Sequence, residues 1–332
     1  MNSIERVRGR IAGTAVDRVP NFDIHMAFGA HFAGRTLSDY YLDHRALVDA
    51  NVAVREAFSL DILQAISDPY REGCDFGLEV VFPPDSLPLR RRPLLSDPAD
   101  LLRLRPPDPC AGRRMVDRLE AVRRMHELSR GEVPVMGWVE GALALANVLR
   151  GDVDLMTDLY DRPEWVRDLL EVCASVEIAF AEAQVEAGAD IIGLGDAIAS
   201  QVSPAMYREF ALPYERRIFS AIRGAGALCR LHICGDTRRL LPAMADSGAD
   251  IIDVDWMVDL EKAAREFEPR GVAVCGNFDP VRILLRGSPD DVEAAVARTL
   301  WDGGPRLISA AGCEVPDGTP QANLRARLLP LG

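Results

Sequence analysis

Gly188-Ala189-Asp190-Ile191-Ile192-Gly193-Leu194-Gly195-Asp196 closes a long helical stretch and opens a short apolar strand. Ser247-Gly248-Ala249-Asp250-Ile251-Ile252-Asp253-Val254-Asp255 repeats the same unit further along the chain. Glycine at a helix C-terminus, a tight turn and a strand apolar on both faces are the marks of a parallel sheet covered by crossover helices. Working outward, further strands are expected near Phe22, Ile62, Val135, Leu231, Val274 and Ile308, with helices over 40–58, 115–129 and 164–188. With the strands at Ile192 and Ile252 these make eight. Eight short strands alternating with helices in 332 residues predict an α/β fold, a single (β/α)8 TIM barrel over residues 1–332. A short amphipathic helix at 4–7 forms an N-terminal extension. After the second strand, residues 76–109 alternate like a hairpin and then fill with proline and arginine, including Arg90-Arg91-Arg92, which suits an excursion from the barrel with a solvated basic face.

Active sites of such barrels lie at the C-terminal strand ends. Glu140, Asp196, His232, Cys234, Asp255, Asn277, Asp279, Cys313 and Glu314 all fall at or just past those ends. Any one of them alone reads as a turn-former or helix cap, and Asp236 or Thr237 is expected to cap the helix that follows in that way. Within Leu231-His232-Ile233-Cys234-Gly235, however, the histidine and cysteine are two apart and face the same side of a strand. Cys313, in Gly312-Cys313-Glu314-Val315-Pro316, stands in a second Gly-flanked turn after an apolar strand. Two cysteines and one histidine suit zinc with three protein ligands and a fourth position free for water or substrate. The plainer alternative is a strand-end histidine with ordinary buried thiols. Glu140 or Glu314 can fill the fourth position at rest, although a turn or outer hydrogen-bonding role is the simpler assignment for each. Arg230 shares the parity of His232, with Asp196 or Asp253 as its expected partner. The candidate catalytic residues are Glu140, Asp196, Asn277 and Asp279; the candidate metal ligands are His232, Cys234 and Cys313.

Apolar residues make up 48% of the chain, enough for a large core, and the net charge of -13 argues against a nucleic-acid or anionic-membrane surface. Seven cysteines form an odd set without the spacing of a disulfide framework. The N-terminal residues lack an apolar signal region, and no stretch reaches the roughly 18 apolar residues of a membrane span. A cytoplasmic protein with reduced thiols is therefore expected.

These residues resemble the uroporphyrinogen decarboxylase superfamily, and within it the cobalamin-dependent methyltransferase branch. The resemblance covers nearly the whole chain. It rests on Asp17-Arg18-Val19-Pro20, on Gly276-Asn277-Phe278-Asp279-Pro280, and above all on Leu231-His232-Ile233-Cys234-Gly235 with Gly312-Cys313-Glu314-Val315-Pro316 and Thr319-Pro320. It implies that His232, Cys234 and Cys313 bind a zinc ion that activates a methyl acceptor. It also implies that methylcobalamin is supplied by a separate corrinoid protein, since no Asp-x-His-x-x-Gly segment occurs here. The acceptor is left open among thiols such as coenzyme M or homocysteine and folate, and a homodimer is the assembly left open. Decarboxylases of the superfamily carry an early Arg-Gln-Ala-Gly-Arg segment for substrate carboxylates, where this chain has His31-Phe32-Ala33-Gly34-Arg35. Decarboxylation is the first alternative, and a noncatalytic partner of a corrinoid protein the second.

Overall fold

The structure is a computed structural model that describes residues 1–331. Seven parallel strands make one curled sheet. In chain order the strands of the molecule are β1 (Leu63–Gln64), β2 (Val80–Val81), β3 (Leu89–Arg90), β4 (Val135–Glu140), β5 (Ile191–Gly195), β6 (Leu228–His232), β7 (Ile251–Asp253), β8 (Ala273–Phe278) and β9 (Leu307–Ala311). The sheet order β1-β4-β5-β6-β7-β8-β9 follows the sequence, so each strand reaches its neighbour through an outer crossover, as in a TIM barrel. The antiparallel pair β2 and β3 is the expected hairpin after the second barrel position.

The first barrel position differs from the expectation of a strand near Phe22. Phe22 N donates to Ser309 O (2.8 Å), Ser309 N donates to Pro20 O (2.9 Å), and Asp61 N donates to Asn21 O (3.0 Å). The segment thus lies between β9 and β1 and closes the barrel, yet it forms only one isolated bridge, Asn21 with Ser309. Side-chain carboxylates add further links across the seam. Asn21 N donates to Asp61 Oδ2, and Ala311 N donates to Asp23 Oδ1, while Pro20 has no N–H to give. Arg18 grips the buried Asp61 carboxylate with both terminal nitrogens (2.6 and 2.8 Å), which fixes where the segment enters.

Two other boundaries move. The expected helix over 40–58 is two helices, Leu37–Leu42 and His44–Phe58, because Asp43 adopts an extended conformation and caps the second through Arg45 N. Asp236 does not cap the helix after β6. It accepts from Arg238 N within a turn, and Leu240 N bonds back to Thr237 O before the helix Leu241–Ala245 begins.

Side-chain parity assigns two apolar layers. Met136, Trp138, Ile191, Ile251 and Ile308 fill the barrel interior, and Val7 of the helix Ser3–Ala12 closes its lower end. Val135, Val139, Ile192, Leu231 and Val274 face the helical layer. Glu140, Arg230, His232 and Asp253 have the inward parity and form the polar upper ring of the interior. Among the described residues no helix is long and apolar enough to cross a membrane.

Candidate metal centre

β6 ends at His232, and Cys234 follows two residues on, before Gly235 turns the chain at φ +93°, a conformation that favours glycine. Cys313 arrives from the loop after β9. That loop presses so closely on the loop after β7 that a Cβ on Gly312 would collide with the Trp256 backbone. The result is a compact trio. His232 Nε2 lies 2.9 Å from Cys234 Sγ, Cys234 Sγ lies 3.7 Å from Cys313 Sγ, and the three ligand atoms all fall within 4.8 Å of one another. Two sulfurs bonded at about 2.3 Å to a tetrahedral zinc stand about 3.8 Å apart, so the thiol pair has the spacing of a zinc edge. The donor set and its geometry therefore fit zinc.

The surroundings hold these groups in place. His232 Nδ1 meets Asp253 Oδ2 at 2.7 Å, which leaves Nε2 facing the sulfurs. Arg230, fully buried one layer below, donates Nε to both Asp253 oxygens (2.9 and 3.1 Å). Burial works against the Asp253 carboxylate, but Arg230 and His232 outweigh it and hold the group down to about 2. The hydrogen bond from Cys234 holds the Cys313 thiol down to about 4 despite burial, and Cys234 is correspondingly pushed up. Asp255 accepts from Gly235 N at 2.8 Å and so ties the loop after β7 to the turn that carries Cys234.

The expected catalytic residues fall into different places. Glu140 shares a register row with Gly195 and His232, points into the barrel, and accepts from Arg71 Nη2 (2.9 Å) and Trp138 Nε1 (3.2 Å). Trp138 connects it to the trio. Its indole lies across β5, where a Cβ on Gly195 would come within 2.8 Å of the ring and one on Gly193 would also collide, and its ring centroid is 6.0 Å from that of His232. Asp196, one residue past the inward Gly195, faces the helical layer, where burial and the neighbouring Glu215 push it up. Asn277 donates its amide to Asp255 O and Val258 O (3.0 and 2.6 Å) and so props the loop after β7. Asp279 caps the turn that follows β8 through Val281 N and Arg282 N. Glu314 accepts from Met26 N and Ala27 N, which engages one of its oxygens at the start of the helix Ala27–Phe32, while burial pushes it up to about 7. Asp253, the partner the structure selects for Arg230, was one of two options in the sequence. Arg71 and Trp138 went unnoticed. Trp138 shares the inward parity of Glu140 and was findable on that ground, whereas Arg71 lies 69 positions before its partner and carried no local signal.

Residues 2–328 match the family model of uroporphyrinogen decarboxylase (URO-D), and the chain belongs to that family. Over 209 residues it is 37% identical to methylcobamide:CoM methyltransferase MtbA of Methanosarcina mazei, a match covering 62% of this chain and 60% of that protein. The chain therefore spans less than two thirds of that relative's length. It is also 33% identical over 298 residues to a uroporphyrinogen decarboxylase of Mycobacterium sp. (strain KMS), covering 82% of this chain and 80% of the relative. A solved structure described as a methyltransferase from Methanosarcina mazei superposes with a TM-score of 0.85 over 99% of this chain and 98% of its own, at 24% identity, and so shares the fold.

Proposed function

We propose that this chain is a zinc-dependent methyltransferase that moves a methyl group between a cobalamin carried on a separate corrinoid protein and a small nucleophile such as a thiol. The observation that carries the proposal is the trio His232, Cys234 and Cys313 at the C-terminal ends of β6 and β9, with a sulfur spacing that suits zinc. The similarity to a methylcobamide:CoM methyltransferase supports it. Zinc held there supplies one piece of chemistry: it lowers the pKa of a thiol entering the fourth position, so that the sulfur is present as a nucleophile at neutral pH.

The protein's own groups do the rest. Asp253 fixes the His232 ring through Nδ1, and Arg230 fixes Asp253. Cys234 and Cys313, as thiolates beside a neutral imidazole, balance a divalent charge, so an added sulfur keeps its electron density. Asn277 and Asp255 set the loop against which the Cys313 turn rests. Glu140 lies on the chamber wall in the register row of His232, and Asp279 fixes the turn after β8 through Val281 N and Arg282 N.

The decarboxylase alternative rests on the similarity to decarboxylases. Two features favour methyl transfer over it. The early segment has His31 where those enzymes have arginine, and its remaining Arg35 is engaged with Asp49 at 3.1 Å. His31 itself sits between Asp317 (2.9 Å) and Asp85 (3.0 Å), an acidic setting unsuited to substrate carboxylates.

Free methylcobalamin is expected to be a slow surrogate donor, because the proximity given by a docked partner is missing. Incubated anaerobically with zinc-loaded protein and a thiol panel, it should lose its methyl-Co(III) spectrum and yield the matching thioether. Release of carbon dioxide from uroporphyrinogen, with no methyl transfer to thiol or folate, would assign decarboxylation instead. Chelation should abolish the transfer while circular dichroism stays unchanged, because a core of this size does not depend on a metal for folding. Cooperative unfolding on mild chelation would make the metal structural.

A further inference from the structure

Behind the chamber, Glu140 is tied to a buried charged array whose other members have no part in the methyl-transfer reading. Arg71 Nη2 reaches both Glu140 Oε1 (2.9 Å) and Glu72 Oε1 (3.2 Å), and Arg71 and Glu72 have no exposed surface. Glu177, from the helix Pro163–Glu186, joins them from the outer layer, also fully buried and with neither carboxylate oxygen hydrogen-bonded. The second oxygen of Glu72 is likewise without a partner. Asp68 does not relieve the imbalance, because it is already paired with Arg114 at 2.7 Å. Glu140 and Glu72 thus share one guanidinium, and both push up the proton affinity of the neighbouring Glu177. Burial and like-charge repulsion both favour a proton within the array.

Only one member of this array opens toward the trio. Glu140 is in the register row of His232, two strands away, with Gly195 between them. Adjacent strands are about 4.8 Å apart, so the two inward side chains start roughly 10 Å from each other across the chamber. Because Gly193 and Gly195 carry no side chains, β5 leaves a bay in which the Trp138 indole lies, bonded to Glu140 at one end and facing His232 at the other. The sheet thus places one carboxylate at the chamber wall and keeps its two companions out of the barrel.

We propose that Glu140 is the base that takes the proton of the incoming thiol, and that Arg71, Glu72 and Glu177 hold that proton away from solvent while the methyl group is transferred. This rests on the methyltransferase reading. In the step, the S–H bond breaks, its electron pair stays on sulfur, and an O–H bond forms on the Glu140 carboxylate; after the thioether leaves, the proton returns to water. Burial, opposed by Arg71 and reinforced by Glu72, sets Glu140 at about 7, where a carboxylate can both take and return a proton near neutrality. Burial, with Glu72 and Glu140 beside it, pushes Glu177 well above the usual range, which makes it the member with the strongest hold on a proton. The titratable groups packed around Glu140 are Arg71 and Glu72 from the helix Arg71–Asp75 and Glu177 from the helix Pro163–Glu186, while Asp196, behind β5 in the helical layer, is itself pushed up in part by Glu140.

The test counts protons rather than turnover. Zinc-loaded protein is titrated with 2-mercaptoethanesulfonate and, separately, with homocysteine in weak buffer containing a pH indicator. Thiol binding itself is followed in the cobalt(II)-substituted protein by its sulfur-to-metal absorption. Well below the Glu140 value, the array already carries its proton, and binding should release one proton to solvent. Just above it, the bound thiolate raises the affinity of Glu140 for a proton, so net release should fall to roughly half a proton or less before recovering at higher pH. Glu140→Gln should bind the thiol and release close to one proton throughout, with no dip. If Glu140→Gln fails to fold, Glu72→Gln serves: the loss of a like charge should move the dip to lower pH. A wild-type protein that binds thiol and releases one proton at every pH below the thiol's own pKa overturns the role of Glu140 and leaves the methyltransferase reading intact. A metal-loaded protein that binds no thiol overturns both.

Discussion

Replacing Cys313 by alanine should strip the protein of its zinc and of methyl transfer while leaving the barrel folded. The residue is one of the three proposed ligands, so its loss should exceed the roughly 10–100-fold drop in metal affinity that follows loss of an outer hydrogen-bond partner. The fold should tolerate the change because Cys313 lies in a partly exposed loop after β9, outside both apolar layers. Elemental analysis of purified wild type and Cys313→Ala would measure the effect directly: about one zinc per chain in the first, and little in the second. Equal zinc in the two proteins would remove Cys313 from the site and return the cysteines to the role of ordinary thiols.

Asp253 is expected to matter to stability as well as to the metal. It is the one carboxylate joining the buried Arg230 to His232, so Asp253→Ala leaves a guanidinium in the barrel core without its partner. Breaking a buried pair in this way costs about 3–5 kcal/mol. Asp253→Asn keeps the shape and one acceptor, and should lose less stability while still weakening zinc binding by roughly 10–100-fold, because it can no longer accept from both neighbours as an anion. The pH dependence follows from the depressed Asp253 value. Its contribution is complete above the ordinary carboxylate range, begins to fall as the pH drops through about 4, and is lost as the pH passes the folded value of about 2. Urea unfolding of the metal-free proteins between neutral pH and pH 3 should therefore show the gap between wild type and Asp253→Asn narrowing on the acid side. A constant gap would mean that Asp253 acts through shape rather than charge.

The barrel was legible because its middle strands have no alternative environment. Ile191-Ile192 and Ile251-Ile252, each after a Gly-Ala-Asp turn, are apolar on both faces, and only a sheet covered by helices buries both. The segment at Phe22 was harder for a physical reason: Asn21 and Asp23 alternate with Phe22 and Ile24 as in a strand, but Asn21 N bonds the Asp61 carboxylate, Asp23 N bonds the Asn21 side chain, and the Asp23 carboxylate accepts from Ala311 N, links which local pattern does not reveal. The clustering of His232, Cys234 and Cys313 was legible through their unusual donor types. The roles of the other strand-end residues were not, since a carboxylate past a strand end looks alike whether it faces the chamber, as Glu140 does, or the helices, as Asp196 does. One residue of parity separates those outcomes, and the strand ends Glu140 and Gly195 that set it are fixed by register. The Arg71 array was invisible because its members come from the helix Arg71–Asp75, β4 and the helix Pro163–Glu186, far apart in sequence.

The most direct test of the central claim is zinc-edge X-ray absorption on the purified protein before and after addition of 2-mercaptoethanesulfonate or homocysteine. The account predicts two sulfurs at about 2.3 Å together with nitrogen or oxygen scatterers in the resting protein, and a third sulfur once the thiol is added. An unchanged sulfur count on addition of every thiol tried, or a zinc environment made of oxygen and nitrogen alone, would contradict it.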